Sequence, residues 1–323
     1  MSKPRVFVTR IMPAAGLDRV REACNAEIWS GEMPPPYETL REKVRGVDGL
    51  LCMLTDRIDG QLMDAAGPGL KVISQMAVGY DNIDVPAAQV RGIPIGHTPG
   101  VLTEATADLA FGLLLAAARR IVEGANYIQD GQWRTWDPNA LLGRDLSGAT
   151  LGIIGLGRIG RAVARRAAGF NMRILAYSPS LTFESAAEVN AVAVDLETLL
   201  RESDFVSLHL PLNARTRHLI NRVTLSQMKA NAILVNTARG GIIDHAALVE
   251  ALRSGIIGGA ALDVTDPEPI SPDDPLLSLP NALVVPHIGS ASQWTRDQMA
   301  RMAAENLIAG VTGQPLPNRV PTG

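Results

Sequence analysis

Cysteine is scarce: only Cys24 and Cys52 occur in 323 residues, in neither a CxxC pair nor a metal-ligand spacing. That excludes a disulfide framework and a thiolate metal centre, and it predicts two reduced, buried thiols in a cytosolic protein. An excess of one charge is also missing. The 30 Lys and Arg stand against 33 Asp and Glu, a formal net charge of −3, with no block of like charges. No face for nucleic acid is therefore expected. Long apolar runs are absent too. The longest stretch, Leu109 to Ala118, is too short to cross a bilayer, and the run within Met1 to Thr9 is too short for a signal peptide. A cytoplasmic protein without a membrane partner is expected. Neither an internal repeat nor a low-complexity tract is visible, and the composition, 46% hydrophobic and 20% charged, suits a globular chain long enough for two domains with separate cores.

What is present is glycine at a particular spacing. In Thr150-Leu-Gly-Ile-Ile-Gly-Leu-Gly-Arg-Ile-Gly160 a short apolar run breaks into a turn at Gly155 and Gly157, and a helical stretch then opens through Arg158, Ile159 and Gly160. The first glycine permits the tight turn, the second lets backbone approach a pyrophosphate, and the third lets helix pack on strand. Methyltransferases bind another nucleotide on a similar loop, so the pattern alone does not choose its guest. A second strand-like run, Met172 to Tyr177, follows at βαβ spacing and favours a dinucleotide.

Before this loop, strand-like segments at Arg5 to Thr9, Gly49 to Leu54, Lys71 to Met76 and Ile93 to Gly96 alternate with polar, helix-compatible stretches. After it, strands are predicted at Phe205 to Leu210, Ala232 to Asn236, Gly259 to Val264 and Ala282 to Val285, with the continuous apolar content of a parallel sheet covered on both faces. A long helix from about Thr103 to Tyr127, capped by Thr103 and ended by Asp130-Gly131, is predicted to connect the two halves. A final helix at Thr295 to Ala309 is expected to return to the first half. The predicted domains are therefore 1–100 with 288–323, and 101–287.

In an open parallel sheet, ligands bind beyond the carboxyl ends of the strands. Three polar residues stand there. Arg239, followed by Gly240-Gly241, offers a planar fork for a carboxylate, though an arginine capping the sheet end fits the segment equally. Glu268 sits in Asp263-Val-Thr-Asp-Pro-Glu-Pro269, which by itself reads as a solvated acidic loop, and His287 in Pro286-His-Ile-Gly-Ser290, where a structural histidine is the ordinary explanation. Together they fill complementary roles in a carbonyl reduction: a cation for the oxo acid, and an imidazole acid oriented by a carboxylate.

This order of motifs resembles the D-isomer-specific 2-hydroxyacid dehydrogenase family. The matching segments are Val78-Gly-Tyr-Asp-Asn-Ile-Asp84, Thr98 to Asp108, the glycine loop, Asn236-Thr-Ala-Arg-Gly240, Leu262 to Pro269 and Pro286 to Ser290. Within it, Leu262 to Pro269, Gly131-Gln-Trp-Arg-Thr-Trp136 and the C-terminal helix are most similar to the glyoxylate/hydroxypyruvate reductases. The resemblance implies an α/β protein in which a Rossmann dinucleotide-binding domain joins a smaller flavodoxin-like α/β substrate-binding domain. It implies NAD(P)H-dependent reduction of a small 2-oxo acid, with Arg239 on the carboxylate and carbonyl, His287 as proton donor and Glu268 supporting His287. By the same resemblance, backbone N–H groups around Val78 and Gly79 help bind the carboxylate, with Ser290 nearby, and Leu54 and Trp136 line the pocket. Thr106, Pro211, Thr237, Ala238, Asp263 and Gly289 are implied to contact the cofactor, together with the loop residues Gly155, Gly157, Arg158, Ile159 and Gly160.

The segment after the second Rossmann strand reads Ala176-Tyr-Ser-Pro-Ser180. An NAD-preferring unit usually carries an acid there for the ribose 2′-OH. Its absence, with Ser178, Pro179, Ser180 and Arg158 in reach of a phosphate, favours NADP(H), with NAD(H) possible. D-lactate, phenylpyruvate and phosphite enzymes share the scaffold, and a dinucleotide-sensing corepressor-like protein is the alternative of a different class. A homodimer is expected, built on the apolar face of the long helix (Leu109, Leu113, Ile121) and on an arm carrying Trp133 and Trp136.

Overall fold

The computed structural model describes residues 2–179 and 181–321. The chain forms two compact units, Met1–Leu102 with Ser290–Gly323, and Thr103–Gly289. Each boundary falls two residues beyond the position read from the sequence.

The first unit carries β1 (Arg5–Val8), β2 (Asn25–Ile28), β3 (Gly49–Cys52), β4 (Val72–Gln75) and β5 (Ile95–Gly96). Their order, β2-β1-β3-β4-β5, with all pairings parallel, is the flavodoxin-like doubly wound order. Phe7, Leu50 and Ile73 are buried from successive strands of the core, each contributing roughly 1.5–3 kcal/mol by leaving water. The helix Gln293–Val311 packs on this unit against Ala14–Ala23, β3 and β4, and afterwards the chain returns to β5 through an antiparallel bridge at Arg319.

The second unit holds β6 (Thr150–Ile154), β7 (Arg173–Tyr177), β8 (Ala191–Ala193), β9 (Phe205–Leu208), β10 (Ile233–Asn236), β11 (Gly259–Leu262) and β12 (Ala282–Val284). The order is β12-β11-β10-β9-β6-β7-β8, again all parallel. Counted from the glycine strand, that is the Rossmann order 3-2-1-4-5-6 with one added strand. The chain therefore has the expected α/β architecture of two doubly wound sheets.

The long connecting helix requires correction. It breaks at Arg120, whose backbone is left-handed at φ +52°, into Thr103–Ala118 and Ile121–Gln129. Thr103 is the first helical residue rather than its cap. Leu113 is buried and Leu109 packs on the core of the same unit, so that face is already covered. Ile121–Gln129, by contrast, has no buried residue. The strands β2 and β8, which the sequence reading omitted, lie at the two sheet edges and are only partly apolar. Both cysteines are buried. Among the described residues no helix is long and apolar enough to cross a membrane.

Candidate active site

The glycine turn leaves β6 with Gly155 at φ +102°, where an added Cβ would lie 2.7 Å from the His209 carbonyl carbon at the end of β9. No other residue type fits that approach. Gly160 packs against the Gly155 carbonyl, 2.1 Å from its own notional Cβ, whereas nothing lies within 4 Å of the corresponding point on Gly157. The helix Arg158–Ala168 starts there without a side-chain cap and without an acid in its first turn. Its leading N–H groups thus have neither an intrahelical nor a capping side-chain partner, the condition under which a helix N-terminus accepts phosphate.

The neighbouring strand ends contribute the remaining implied contacts. Ser178 and Pro179 follow β7, and the segment carries no carboxylate; Ser180 lies outside the described residues. Pro211 follows β9, exposed, with its carbonyl accepting from Thr216 Oγ1 at 2.6 Å. Past β10, the Thr237 hydroxyl is buried yet has no partner within the described chain. A buried hydroxyl without a partner is costly, and a polar ligand at this edge would satisfy it. Open Gly157, the uncapped helix and the orphaned Thr237 thus fit a dinucleotide. Ile159 packs on the core behind the loop, and Arg158 is exposed at the helix start.

Arg239 is half-buried in an extended conformation, and its guanidinium donates to the Ala238 carbonyl at 2.7 Å. The loop is held from beneath by Asn236, a fully buried residue to which the sequence reading assigned no role. Its Nδ2 donates to the Arg239 carbonyl at 2.9 Å and its Oδ1 accepts from Ala238 N at 3.0 Å. Gly240 lets this loop lie directly on Thr265-Asp266, since a Cβ there would come within 2.0 Å of the Thr265 carbonyl. The Arg239 loop therefore rests on the segment that carries Glu268.

Glu268 and His287 meet across 19 residues of sequence: Nδ1 of His287 stands 2.5 Å from Glu268 Oε1, with both side chains partly accessible. His287 is itself left-handed at φ +52°, a conformation uncommon outside glycine. It is held by its N–H on the Asp263 carbonyl at 2.9 Å and by the Asp263 carboxylate, which accepts from Ile288 N at 2.6 Å and Gly289 N at 2.8 Å. Burial pushes the Asp263 carboxyl above its ordinary pKa, and these amide bonds oppose that shift. Thr106 lies buried beside Gly289.

Two other histidines test the choice of His287. His209 is pushed down to about 4 by burial, with Nε2 on the Ser207 hydroxyl at 2.8 Å and Nδ1 unpartnered, so it stays neutral near pH 7. His245 pairs with Asp274 at 3.0 Å but opens the helix His245–Arg253 rather than leaving a strand. Among the described residues, only His287 joins a carboxylate partner to a strand exit.

Of the remaining implied substrate residues, all but Trp136 belong to the other unit. Leu54 follows β3 and is 37% exposed. Val78 and Gly79 follow β4, and Ser290 opens the segment before the last helix. Trp136 lies in the connection between Ile121–Gln129 and β6, 78% exposed.

A Rossmann sheet with an open glycine turn and a His–carboxylate pair at its carboxyl edge defines a dinucleotide-dependent oxidoreductase. The sequence model of the D-isomer specific 2-hydroxyacid dehydrogenase NAD binding domain matches residues 111–289, and the chain belongs to that family. It is 53% identical over 319 residues to a glyoxylate reductase of Korarchaeum cryptofilum, covering 98% of this chain and 96% of that protein. Among solved structures, a glyoxylate reductase from Paecilomyes thermophila superposes with a TM-score of 0.88 at 34% identity, over 99% of each chain. An NADPH-dependent glyoxylate/hydroxypyruvate reductase from Sinorhizobium meliloti, in complex with NADP and malonate, gives 0.88 at 33% identity, over 99% of this chain and 97% of that one. The chain is a D-2-hydroxyacid dehydrogenase of the glyoxylate reductase-like kind, using a nicotinamide dinucleotide on a small 2-oxo acid.

Proposed function

We propose that this enzyme reduces glyoxylate or hydroxypyruvate to the corresponding 2-hydroxy acid, with NADPH as the preferred donor and NADH possible. The observation that carries the reading is the contact of His287 Nδ1 with Glu268. With Nδ1–H donated to the carboxylate, Nε2 is the ring nitrogen that delivers a proton to the carbonyl oxygen as negative charge develops there. Arg239 holds the substrate carboxylate and polarises the carbonyl, and the N–H groups of Val78 and Gly79 take part in the same capture. The bound nicotinamide supplies the hydride. Asp263, Thr106, Thr237, Ala238, Pro211 and Gly289 serve the cofactor side, and Ser290 the substrate side. The preference for NADPH rests on the absence of a carboxylate after β7 and on Arg158 and Ser178. The proposed domain roles follow the two units, with the dinucleotide on Thr103–Gly289 and the substrate-binding turns on the other.

The enzyme is proposed to act as a cytoplasmic homodimer. Support comes from the unburied helix Ile121–Gln129, which with the following arm exposes Ile121, Ile128, Trp133, Trp136 and Leu142; a surface of that kind marks an interaction site. In the family's arrangement, Trp136 would close the partner's substrate pocket. Initial rates with NADPH and NADH against glyoxylate, hydroxypyruvate, pyruvate and phenylpyruvate, and with NADP+ and NAD+ against phosphite, test the reading. Activity confined to the two short oxo acids is expected. Turnover of phosphite alone, or of nothing in the panel, overturns it, and light scattering near 34 kDa removes the dimer.

A further inference from the structure

We infer that Asn82, with Gln75 behind it, is a positioning residue that locks the two substrate-facing turns of the first unit in register. The inference rests on the proposed role of Val78 and Gly79. Gln75, the last residue of β4, is fully buried, and its Nε2 donates to Asn82 Oδ1 at 2.6 Å and to the Gly79 carbonyl at 3.3 Å. Asn82 in turn donates through Nδ2 to two carbonyls of the turn that carries Leu54, Met53 at 3.1 Å and Asp56 at 2.8 Å. The backbone reinforces the junction: Ile58 N donates to the Asn82 carbonyl at 3.0 Å and Asp84 N to the Ile58 carbonyl at 2.8 Å. One half-buried carboxamide therefore ties together the exits of β3 and β4.

The consequence follows from peptide geometry. Three successive carbonyls of the β4 exit are each pinned: Ala77 by Thr98 N at 2.9 Å, Val78 by His97 Nδ1 at 3.0 Å, and Gly79 by Gln75. In a planar trans peptide the N–H points opposite to the preceding carbonyl. Fixing the Ala77 and Val78 carbonyls thus aims the N–H groups of Val78 and Gly79 to the other side of the turn, where they are pre-organised for an anion. Asn82 stops the Gln75 amide from swinging away and keeps the Leu54 turn at a fixed distance from that pair.

Asn82→Asp tests this, because the carboxylate still accepts from Gln75 but faces the Met53 and Asp56 carbonyls without a donor. Asn82→Ala, which adds no charge, serves as the second variant should the first fail to fold. A rise of about tenfold or more in KM for glyoxylate is expected in Asn82→Asp, with a smaller rise in Asn82→Ala. The NADPH Kd should be retained, kcat at saturating oxo acid should change less than KM, and amide hydrogen exchange should quicken in peptides spanning 51–58 and 76–84. His287→Ala run in parallel separates the two levels. If it loses activity while either folded Asn82 variant keeps wild-type KM and exchange, the positioning role is wrong. If His287→Ala is itself active, the underlying reading has failed. Equal losses of NADPH affinity and oxo-acid KM in the folded variants would also overturn the inference, because a general loosening of the structure explains them.

Discussion

Both units are parallel α/β sheets with their proposed chemistry at the carboxyl edge, yet they present it differently. In Thr103–Gly289 the chemistry belongs to side chains, Arg239, Glu268 and His287, each leaving a separate strand. In the other unit it belongs to backbone amides at Val78 and Gly79, and the side chains beneath, Gln75, Asn82 and His97, hold carbonyls in place. The lesson concerns where function can be read. A guanidinium or imidazole carries its chemistry in its letter, whereas an N–H group is common to every residue but proline and becomes a site only when its carbonyl is tied down.

The contrast breaks most sharply at His287. His287→Ala is expected to lower the reduction rate by ~10²–10⁴, the usual contribution of a placed general acid, while the NADPH Kd measured by fluorescence stays unchanged. Near wild-type turnover would remove the side-chain half of the comparison. Next in size is Ser178→Asp. A carboxylate there repels a 2′-phosphate and is available to a ribose hydroxyl, so the ratio of kcat/KM for NADPH to that for NADH should fall by about tenfold or more. An unchanged ratio would mean that the segment after β7 does not read the ribose.

A smaller effect is expected on the backbone side. Leu54→Ala should raise KM for glyoxylate by no more than about fivefold, since a side chain already 37% exposed has little buried area to lose. A loss comparable to that of His287→Ala would show that side chains carry the chemistry in both units. The mildest consequence concerns stability. His209 has its pKa pushed down to about 4 by burial, against about 6.5 in an unfolded chain. The unfolded state therefore binds more protons between those values, and the stability that neutral His209 contributes is complete above about pH 6.5 and lost as pH falls toward 4. Between pH 7.5 and 5 this amounts to at most about 2 kcal/mol, readable as a lower urea midpoint. His209→Gln should flatten that part of the profile, and an unaltered slope would place the acid sensitivity elsewhere.

Much of the second unit was legible because buried parallel strands read as continuous apolar runs and because the glycine spacing has one geometric purpose. The edge strands β2 and β8 escaped notice for the complementary reason: Asn-Ala-Glu-Ile and Ala-Val-Ala are short, and both are partly exposed. The break at Arg120 was hidden because neither glycine nor proline marks it. Helix-compatible residues continue on both sides, and the left-handed turn is held by context, including the Arg120–Glu123 ion pair.

The sequence by itself determined the alternation of strand and helix, the glycine turn and the missing acid after β7, and it offered Arg239, Glu268 and His287 as candidates. These rest on local properties, residue type and short-range spacing, which a chain displays before it folds. Only the tertiary structure decided that Glu268 reaches His287 Nδ1, that Asp263 holds the left-handed histidine turn, that Asn236 underpins the Arg239 loop, and that Gln75 and Asn82 aim the amides of Val78 and Gly79. Each of those joins groups on different strand exits, or sets the direction of a peptide plane, and hydrogen bonding at 2.5–3.3 Å depends on angles and distances that residue order does not carry.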